Sequence, residues 1–329
     1  MSVKKCFAGL DLGGTNIKAG LIAAAGPVQN ETQMPVRLNL GVDSVLDQMA
    51  EAIQDLLRNN KSCRLAGAGV GAAGLVDVSR GVLWNAPNLP GWIEVPVACG
   101  LEKRLGVPVA MDNDANAAAL GEYAFGAGRG ARNMLMVTLG TGVGGGLILD
   151  GRLFHGSADS AGEIGHTIIQ TDGPLCGCGR RGCVEAFAGG NALVRNFREL
   201  LAQGHDSILK GLPEKKITPR DIGEAADQGD EPARRVLAKA GKYLGIAIGN
   251  AVNLLNLDRV VIGGGVANAG EWILSPAREA LNRTALTVPA RSVRIVSAQM
   301  GEKAGWIGAA YLAQLRRSET KRNSNSFSQ

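Results

Sequence analysis

The sequence from Leu10 to Lys18 is LDLGGTNIK, and apolar stretches with the alternation of β-strands precede and follow it. An acid, two adjacent glycines and a threonine between two strands predict a tight hairpin turn. Such a turn can bind phosphate through its backbone N–H groups, with the Thr15 hydroxyl as a further donor and Asp11 facing a hydrated Mg²⁺. A plain hairpin turn without a ligand is the alternative.

A second strand–glycine–strand unit begins at Met134 and contains the loop LGTGVGGG (Leu139–Gly146). The loop has the spacing G-x-G-x-x-G, but a dinucleotide-binding loop of that type must begin a helix, whereas Leu147–Leu149 predicts a strand. A Walker A loop is excluded as well, because no Gly-Lys-Ser/Thr follows a predicted strand. The repeated layout predicts an internal duplication, with two hairpins that hold the phosphates of one nucleotide from both sides.

The rest of the chain alternates between predicted strands and helices, which indicates the α/β class. Helical spacing predicts a helix over Asp43–Asn59 with Ser44 as its cap, and another over Asp114–Phe125. Further helices are predicted over 190–203, 219–228 (capped by Thr218), 232–256 and 302–316. A third glycine-rich stretch, IGGGVANAG (Ile262–Gly270), lies between a predicted strand and a helix, which suits the nucleoside or its α-phosphate.

The composition is that of a soluble globular protein of about two domains, with 329 residues of which 45% are hydrophobic and 20% charged. Much of the net charge of +5 comes from the C-terminal stretch RRSETKRNSNSFSQ, whose residues 318–329 are predicted to be disordered. Nucleic-acid binding is not expected, since no basic stripe with stacking aromatics is present. No signal peptide or membrane span is recognisable, so a cytoplasmic location without a membrane partner is predicted.

The segment MDNDANAAALGE places Asp114 where a strand gives way to a helix. Capping of that helix by Asp112, Asn113 or Asp114 is the simpler interpretation. However, four polar residues within the five positions Asp112–Asn116 are more than a helix cap requires. Phosphorylation of an alcohol needs a carboxylate that takes the hydroxyl proton, and Asp114 is the candidate for this base.

The most specific motif is GEIGHTIIQTDGPLCGCGRRGCVE (Gly162–Glu185). It offers one imidazole and three thiols, from His166, Cys176, Cys178 and Cys183. This ligand set, spaced H-x9-C-x-C-x4-C, predicts a closed tetrahedral Zn²⁺ site of structural type. The ion would fix Glu163 and Glu185 beside it and leave one ring nitrogen of His166 as a donor, which together suit the hydroxyls of a sugar.

In this order the motifs resemble the ROK (repressor, open reading frame, kinase) family, from Leu10 to about Arg316, most specifically in EIGH and CGCGRRGCVE. The resemblance implies an actin-like (ribonuclease H-like) duplicated fold of two α/β domains with a cleft between them. It implies an N-terminal domain of residues 1–113 rejoined by helix 302–317, and a larger domain of residues 114–301 with one zinc ion. A homodimer or homotetramer is implied as well.

The resemblance also assigns roles, with Asp114 as the catalytic base. The sugar-binding positions that it implies are Gly74, Asn88, Asn113, Asp114, Glu163, His166 and Glu185. The ATP-binding positions are Asp11, Gly13, Gly14, Thr15, Asn16, Lys18, Gly140, Thr141, Gly142, Gly264 and Gly265. The segment GVLWNAPNLPGW (Gly81–Trp92) resembles the glucokinase branch, so an ATP- and Mg²⁺-dependent kinase for glucose is expected.

Two departures from the family pattern bear on the sugar: Ala73 stands where a proline is common, and AFAGGNAL follows Glu185. The alternatives are therefore a kinase for fructose, N-acetylmannosamine or N-acetylglucosamine, or one that uses polyphosphate. A ROK repressor would carry a winged helix-turn-helix before the first glycine loop. Because that loop begins at Leu10, no such domain is expected. A sugar sensor without catalytic activity is the last alternative.

Overall fold

The computed structural model describes residues 4–23, 26–86, 88–213 and 216–326. The chain divides into two compact units, each built from separate stretches. The first comprises Met1–Arg129, Leu153–Ala161 and Glu302–Gln329, and the second comprises Gly130–Arg152 and Gly162–Gly301. The predicted boundary after residue 113 differs from this division, which keeps the helix Asp114–Phe125 in the first unit.

The first unit has a five-stranded sheet in the order β3-β2-β1-β4-β8. Its strands are β1 (Lys4–Leu12), β2 (Asn16–Ala23), β3 (Gly26–Pro35), β4 (Cys63–Ala72) and β8 (Val109–Asn113). The first three form an antiparallel meander, while β4 and β8 continue the sheet parallel to β1. The central strand β1 is buried along most of its length, as expected for a strand that is covered on both faces.

The helices of the first unit are α1 (Gly41–Arg58), α2 (Val97–Leu105), α3 (Asp114–Phe125) and α10 (Ala304–Ser326). The backbone of α10 lies directly on β1 and β4: a Cβ built on Gly69 would be 1.8 Å from the carbonyl oxygen of Ala309. Only glycine permits this approach. The helix continues well past its predicted end at residue 316, into the predicted tail. The last three residues of that tail, 327–329, lie outside the described part of the chain.

Two local features of the first unit were not predicted correctly. Ser44 does not cap α1, because a short 3-10 turn at Leu38–Leu40 runs straight into the helix and leaves Ser44 inside it. A small antiparallel sheet was missed, because its strands are only three or four residues long. Its strands are β5 (Leu75–Asp77), β6 (Val82–Asn85) and β7 (Ile93–Val95).

The second unit has a five-stranded sheet in the order β11-β10-β9-β12-β13. Its strands are β9 (Met134–Leu139), β10 (Val143–Leu149), β11 (Arg152–Leu153), β12 (Arg259–Gly263) and β13 (Arg294–Ser297). As in the first sheet, the first strand pairs antiparallel with the second, and two later strands extend it in parallel. The strand order therefore agrees with the predicted duplication, and the α/β class is confirmed.

The helices of the second unit are α4 (Glu185–Ala188), α5 (Gly190–Ala202), α6 (Pro219–Asp227), α7 (Glu231–Leu255), α8 (Glu271–Thr284) and α9 (Thr287–Ser292). Thr218 caps α6 as predicted, in a capping box with Asp221. The helix α8 begins where a helix was predicted to follow the third glycine stretch, whereas α9 was not predicted. Among the described helices, none combines the length and apolarity that crossing a lipid bilayer requires.

Candidate active site

The first glycine loop joins β1 to β2 as a tight hairpin. The backbone N–H of Gly13 donates to the carbonyl oxygen of Asn16 at 3.0 Å, and Asp11 lies opposite Lys18 in the strand register. The Thr15 side chain is exposed at the tip of the turn. The predicted hairpin is therefore present, with its acid at the base and its hydroxyl outermost.

Two acids lie together at the edge of the first sheet where the parallel strands β1, β4 and β8 end. Asp11 is near the end of β1, and Asp114 follows β8 directly. Burial, and the nearby charge of Asp114, raise the pKa of Asp11 to about 6. Burial also raises the pKa of Asp114 above its usual value. A carboxylate with a raised pKa is a stronger proton acceptor, as a general base requires.

Asn113 caps α3. Its side-chain oxygen accepts from the backbone N–H of Ala115 at 2.8 Å, and its amide nitrogen donates to the carbonyl oxygen of Gly74 at 3.1 Å. The Asp114 carboxylate accepts from the same Ala115 N–H at 2.9 Å. The interpretation of Asp114 as a mere cap therefore loses its support, because Asn113 performs that role.

The Asn88 loop lies against the first hairpin. A Cβ on Gly14 would come within 2.7 Å of the Asn88 Cβ and 2.8 Å of its carbonyl oxygen. The sequence predicted phosphate binding by the backbone of this turn. In the structure the neighbouring Asn88 by itself requires glycine at position 14, because a side chain there would overlap Asn88.

The second glycine loop joins β9 to β10. The segment after the loop is therefore a strand, as predicted, and not the helix that a dinucleotide-binding loop requires. Gly140 N–H donates to the carbonyl oxygen of Gly142 at 3.0 Å. The first N–H groups of α5, from Gly190 and Asn191, donate to the carbonyl oxygens of Gly140 and Thr141 at 2.9 and 3.2 Å. The start of α5 therefore holds the loop in place.

The third glycine stretch passes beside the second loop. Gly264 has a φ of +94°, and a Cβ there would lie 2.3 Å from the carbonyl oxygen of Leu139. A cavity of about 660 Å³ opens between these elements, with Gly140, Thr141 and Gly265 in its wall. Its size falls within the range of small-molecule sites. Two of the predicted ATP-binding segments therefore share one cavity of the second unit.

Three arginines in the wall of this cavity were missed by the sequence reasoning: Arg195, Arg198 and Arg220. Guanidinium groups are suited to bind phosphate oxygens. Arg195 also donates to the carbonyl oxygen of Ala186 at 2.7 Å, which fixes it against α4. The available signal was the spacing of Arg195 and Arg198, which are three residues apart and so share one face of α5.

The predicted metal ligands meet in one cluster of the second unit. The ligand atoms of His166, Cys176, Cys178 and Cys183 all lie within 4.8 Å of one another. His166 Nδ1 is 3.8 Å from Cys176 Sγ, and the Sγ atoms of Cys178 and Cys183 are 3.7 Å apart. Sulfurs bound at about 2.3 Å to a tetrahedral ion lie about 3.8 Å apart, so the four side chains fit such an ion.

The thiols of the cluster differ in their readiness to bind a metal. The backbone N–H of Arg180 lowers the pKa of Cys178 to about 7, whereas burial raises the pKa of Cys176 to about 12. Metal binding must therefore displace a proton from the buried thiol. This displacement makes the affinity for a metal increase with pH.

Glu185 connects the metal cluster to the second glycine loop. Its Oε2 accepts from the backbone N–H of Val143 at 3.0 Å, and its Oε1 accepts from the Cys176 thiol at 3.3 Å. A Cβ on Gly142 would lie 2.1 Å from Oε2. Glycine at position 142 is thus needed for the fit of Glu185, in addition to the ATP binding that the sequence predicted for this position.

The match to known proteins covers almost the whole chain, since the model of the ROK family matches residues 7–316. The chain belongs to the ROK family. Among its ROK relatives, the glucokinase of Halalkalibacterium halodurans is 38% identical over 313 residues, which are 94% of each chain. The xylose repressor of Caldicellulosiruptor bescii is 31% identical over 303 residues, or 91% of this chain and 76% of the repressor.

A solved structure supports the same family assignment. A ROK family glucokinase from Streptomyces griseus, in complex with glucose and AMPPNP, superposes with a TM-score of 0.81. It is 35% identical and covers 94% of this chain and 99% of its own. The predicted resemblance to ROK sugar kinases and the predicted duplicated α/β fold are thereby confirmed.

The predicted site residues of this ROK protein are distributed over both units. The first unit holds Asp11, Gly13, Gly14, Thr15, Asn16, Lys18, Gly74, Asn88, Asn113 and Asp114. The second holds Gly140, Thr141, Gly142, Glu163, His166, Cys176, Cys178, Cys183, Glu185, Gly264 and Gly265. Lys18 forms an ion pair with Glu302 at 2.9 Å, and Glu163 directly precedes the 3-10 turn Ile164–His166.

Proposed function

We propose that this chain is an ATP-dependent glucokinase, which transfers the γ-phosphoryl group of Mg-ATP to the C6 hydroxyl of glucose. The observation that carries the proposal is the environment of Asp114: it lies at the polar edge of the first sheet, its pKa is raised by burial, and the N-cap of α3 is the preceding residue, Asn113. The relatives support the substrate, since a glucokinase is 38% identical over 94% of the chain.

In the proposed reaction Asp114 accepts the proton of the C6 hydroxyl while the oxygen of that hydroxyl attacks the γ-phosphorus. The bond between the γ-phosphorus and the bridging oxygen breaks, and ADP leaves with that oxygen. Most of the catalysis in such transfers comes from positioning and from stabilising the charge on the phosphoryl oxygens. Asp114 adds general-base catalysis.

The nucleotide is proposed to bind in the second unit's cavity, beside Gly140, Thr141 and Gly265. The arginines of its wall, Arg195 and Arg198 on α5 together with Arg220, supply positive charge for the phosphates. The first hairpin is proposed to bind phosphate through Gly13–Thr15, with contributions from Asn16 and Lys18. Asp11 would face the Mg²⁺ through water, which is the usual way this ion is held.

The sugar is proposed to bind through Asn113, Glu163, His166 and Glu185, with Gly74 and Asn88 beside it. The Nδ1 of His166 faces the cysteines, so its Nε2 is the nitrogen left for a hydroxyl. Glu185 is already held by the Val143 N–H, which leaves it aligned rather than free to rotate. Sites built to hydrogen-bond hydroxyl groups discriminate strongly against analogues that lack them.

The ion in the His166, Cys176, Cys178 and Cys183 cluster is proposed to be Zn²⁺, because three thiolates and one imidazole in tetrahedral arrangement favour it. All four positions are occupied by protein side chains, so its role would be structural. We further propose that the enzyme acts in the cytoplasm, where thiols stay reduced and ATP is available, as a homodimer or homotetramer.

A sugar sensor without turnover is the second candidate, and the likeness to a xylose repressor favours it. A coupled assay of ADP release separates the two, run over glucose, fructose, mannose, N-acetylmannosamine and N-acetylglucosamine with ATP or polyphosphate. The highest kcat/KM is expected for glucose with ATP. Binding of a sugar with no ADP release would favour the sensor. A preference for another hexose would contradict the glucose assignment and leave the kinase assignment intact.

A further inference from the structure

His155, which is outside all the proposed ligand positions, contacts the strand that carries the proposed base. Its Nε2 lies 2.7 Å from Oδ2 of Asp112, the last residue but one of β8. Asp112 is fully buried, whereas a quarter of the His155 side chain is exposed. The histidine therefore brings a hydrogen-bond donor to a carboxylate that water does not reach.

Asp112 holds the chain on both sides of Asp114. Its Oδ1 accepts from the backbone N–H of Asn113 and from the side-chain amide of Asn116, both at 2.8 Å. Asn113 precedes Asp114, and Asn116 belongs to the first turn of α3. The orientation of the turn from β8 into α3 is thus fixed by one buried carboxylate.

A buried carboxylate needs a compensating charge or a full set of donors. Asn113 and Asn116 donate to Oδ1 of Asp112, and His155 donates to Oδ2. The hydrogen bond to Asp112 raises the pKa of His155, and Asp159 adds to this shift while Arg316 opposes it. Without His155, Oδ2 would lose this donor inside the protein, and the turn from β8 into α3 would have to shift.

His155 is itself held in place by the segment Leu153–Ala161, which belongs to the first unit. The Ala161 N–H donates to the carbonyl oxygen of His155 at 3.0 Å. Asp159 accepts from the backbone N–H of Val78 at 3.1 Å, which ties the segment to the end of β5. The imidazole therefore approaches Asp112 from a fixed backbone.

We propose that His155 is a positioning residue of the phosphoryl transfer. It fixes Asp112, and through Asp112 the turn that presents Asn113 and Asp114 to the sugar. The proposal rests on the proposed kinase function. Small displacements of a reacting group are costly, with about 10²-fold in rate for a shift near 1 Å. Loss of the His155 contact should therefore reduce kcat and leave the KM for ATP nearly unchanged.

The test compares His155→Leu, which removes the donor, with His155→Gln, whose amide can donate to Asp112 in its place. We expect kcat to fall about 10- to 100-fold in His155→Leu, with the KM for ATP within about twofold of the wild type. His155→Gln should recover most of kcat. His205→Leu is the matched control, because His205 is outside every proposed ligand position, and it should behave as the wild type.

A kcat for His155→Leu within twofold of the wild type would overturn the proposal, as would equal losses in the Leu and Gln variants. Should His155→Leu not be recovered as folded protein, His155→Ser, which is too short to reach Asp112, is measured in its place with the same expectation. Absence of any kinase activity in the wild type would contradict the proposed function itself, and this outcome is distinct from a normal rate in the variants.

Discussion

At the scale of single residues, the structure separates two roles that the sequence left together in the segment Asp112–Asn116. Asn113 caps α3, and Asp112 is buried among donors. Asp114 remains as the acid at the polar edge whose pKa is raised by burial. This division could not be read from the sequence, because Asp and Asn have similar capping preferences and only the coordinates show which side chain turns back on the helix.

Asp114→Asn is expected to lower kcat by about 10²–10⁴-fold, because Asn keeps the shape and accepts hydrogen bonds but cannot take the proton. The dissociation constant for glucose, measured by calorimetry, should change little. The matched comparison is Glu185→Gln, which should chiefly weaken glucose binding. A near-normal kcat in Asp114→Asn would place the base elsewhere.

His155 predicts a pH dependence of stability. Because its pKa is raised in the folded protein, its ion pair with Asp112 stabilises the fold fully below the unfolded pKa of about 6.5. This stabilisation is lost as the pH rises through the folded pKa. Urea unfolding should therefore show a larger stability difference between the wild type and His155→Gln at pH 6 than at pH 9. A difference independent of pH would contradict the ion pair, and His205→Gln serves as the control.

At the scale of elements, the second glycine hairpin contains two glycines with different surroundings. Gly142 adjoins Glu185, whereas a Cβ on Gly140 would have no atom within 4 Å in the part of the chain that the structure describes. Sequence alone gives both residues the same role in phosphate binding. The structure assigns Gly142 a second role, which is to leave room for the carboxylate proposed to bind sugar.

The two alanine variants of this hairpin should therefore differ. Gly142→Ala is expected to displace Glu185 and raise the KM for glucose as well as that for ATP. Gly140→Ala should fold as stably as the wild type and affect only the KM for ATP, since Gly140 lines the cavity and its added methyl group would meet no described side chain. Steady-state kinetics with each substrate varied in turn measure both. An unchanged KM for glucose in Gly142→Ala would argue against the contact with Glu185.

The packing of α10 on β1 and β4 predicts a large effect from one methyl group. In Gly69→Ala the Cβ would overlap the carbonyl oxygen of Ala309, and overpacking of this kind typically costs about 1–3 kcal/mol. The free energy of unfolding from urea titration measures it. Gly211→Ala is the control, since its Cβ would meet no atom of the described residues within 4 Å. Equal stability of the two variants would contradict the close packing.

At the scale of the whole molecule, the parts of the fold predicted from sequence are those encoded by short-range patterns. The two hairpins, the capping of α6 by Thr218 and the metal cluster each depend on residues close together in the chain. The arginines of the cavity and the His155–Asp112 pair were missed, because tertiary packing brings these residues to their sites. The small β5–β7 sheet was missed because strands of three or four residues carry too little alternation to recognise.

Removal of the proposed Zn²⁺ should affect the whole second unit. A structural ion contributes directly to folding free energy, so prolonged chelation is expected to lower the melting temperature and to weaken glucose binding. Cys178→Ser should reproduce both effects, and elemental analysis should show the loss of one Zn²⁺ per chain. Cys99→Ser removes an exposed thiol outside the cluster and should change neither property. Full activity in protein free of zinc would refute the proposed role.

The placement of α10 also has a consequence for how the chain folds as it is synthesised. The helix packs on β1, β4 and α3, all of which emerge from the ribosome long before it. The part of this sheet that α10 covers therefore stays exposed until the translation of Ala304–Ser326, whereas all strands and helices of the second unit have been synthesised by Gly301. The half of the molecule that is begun first is the half that is completed last, and a chaperone that shields bare apolar surface would find it exposed throughout that interval.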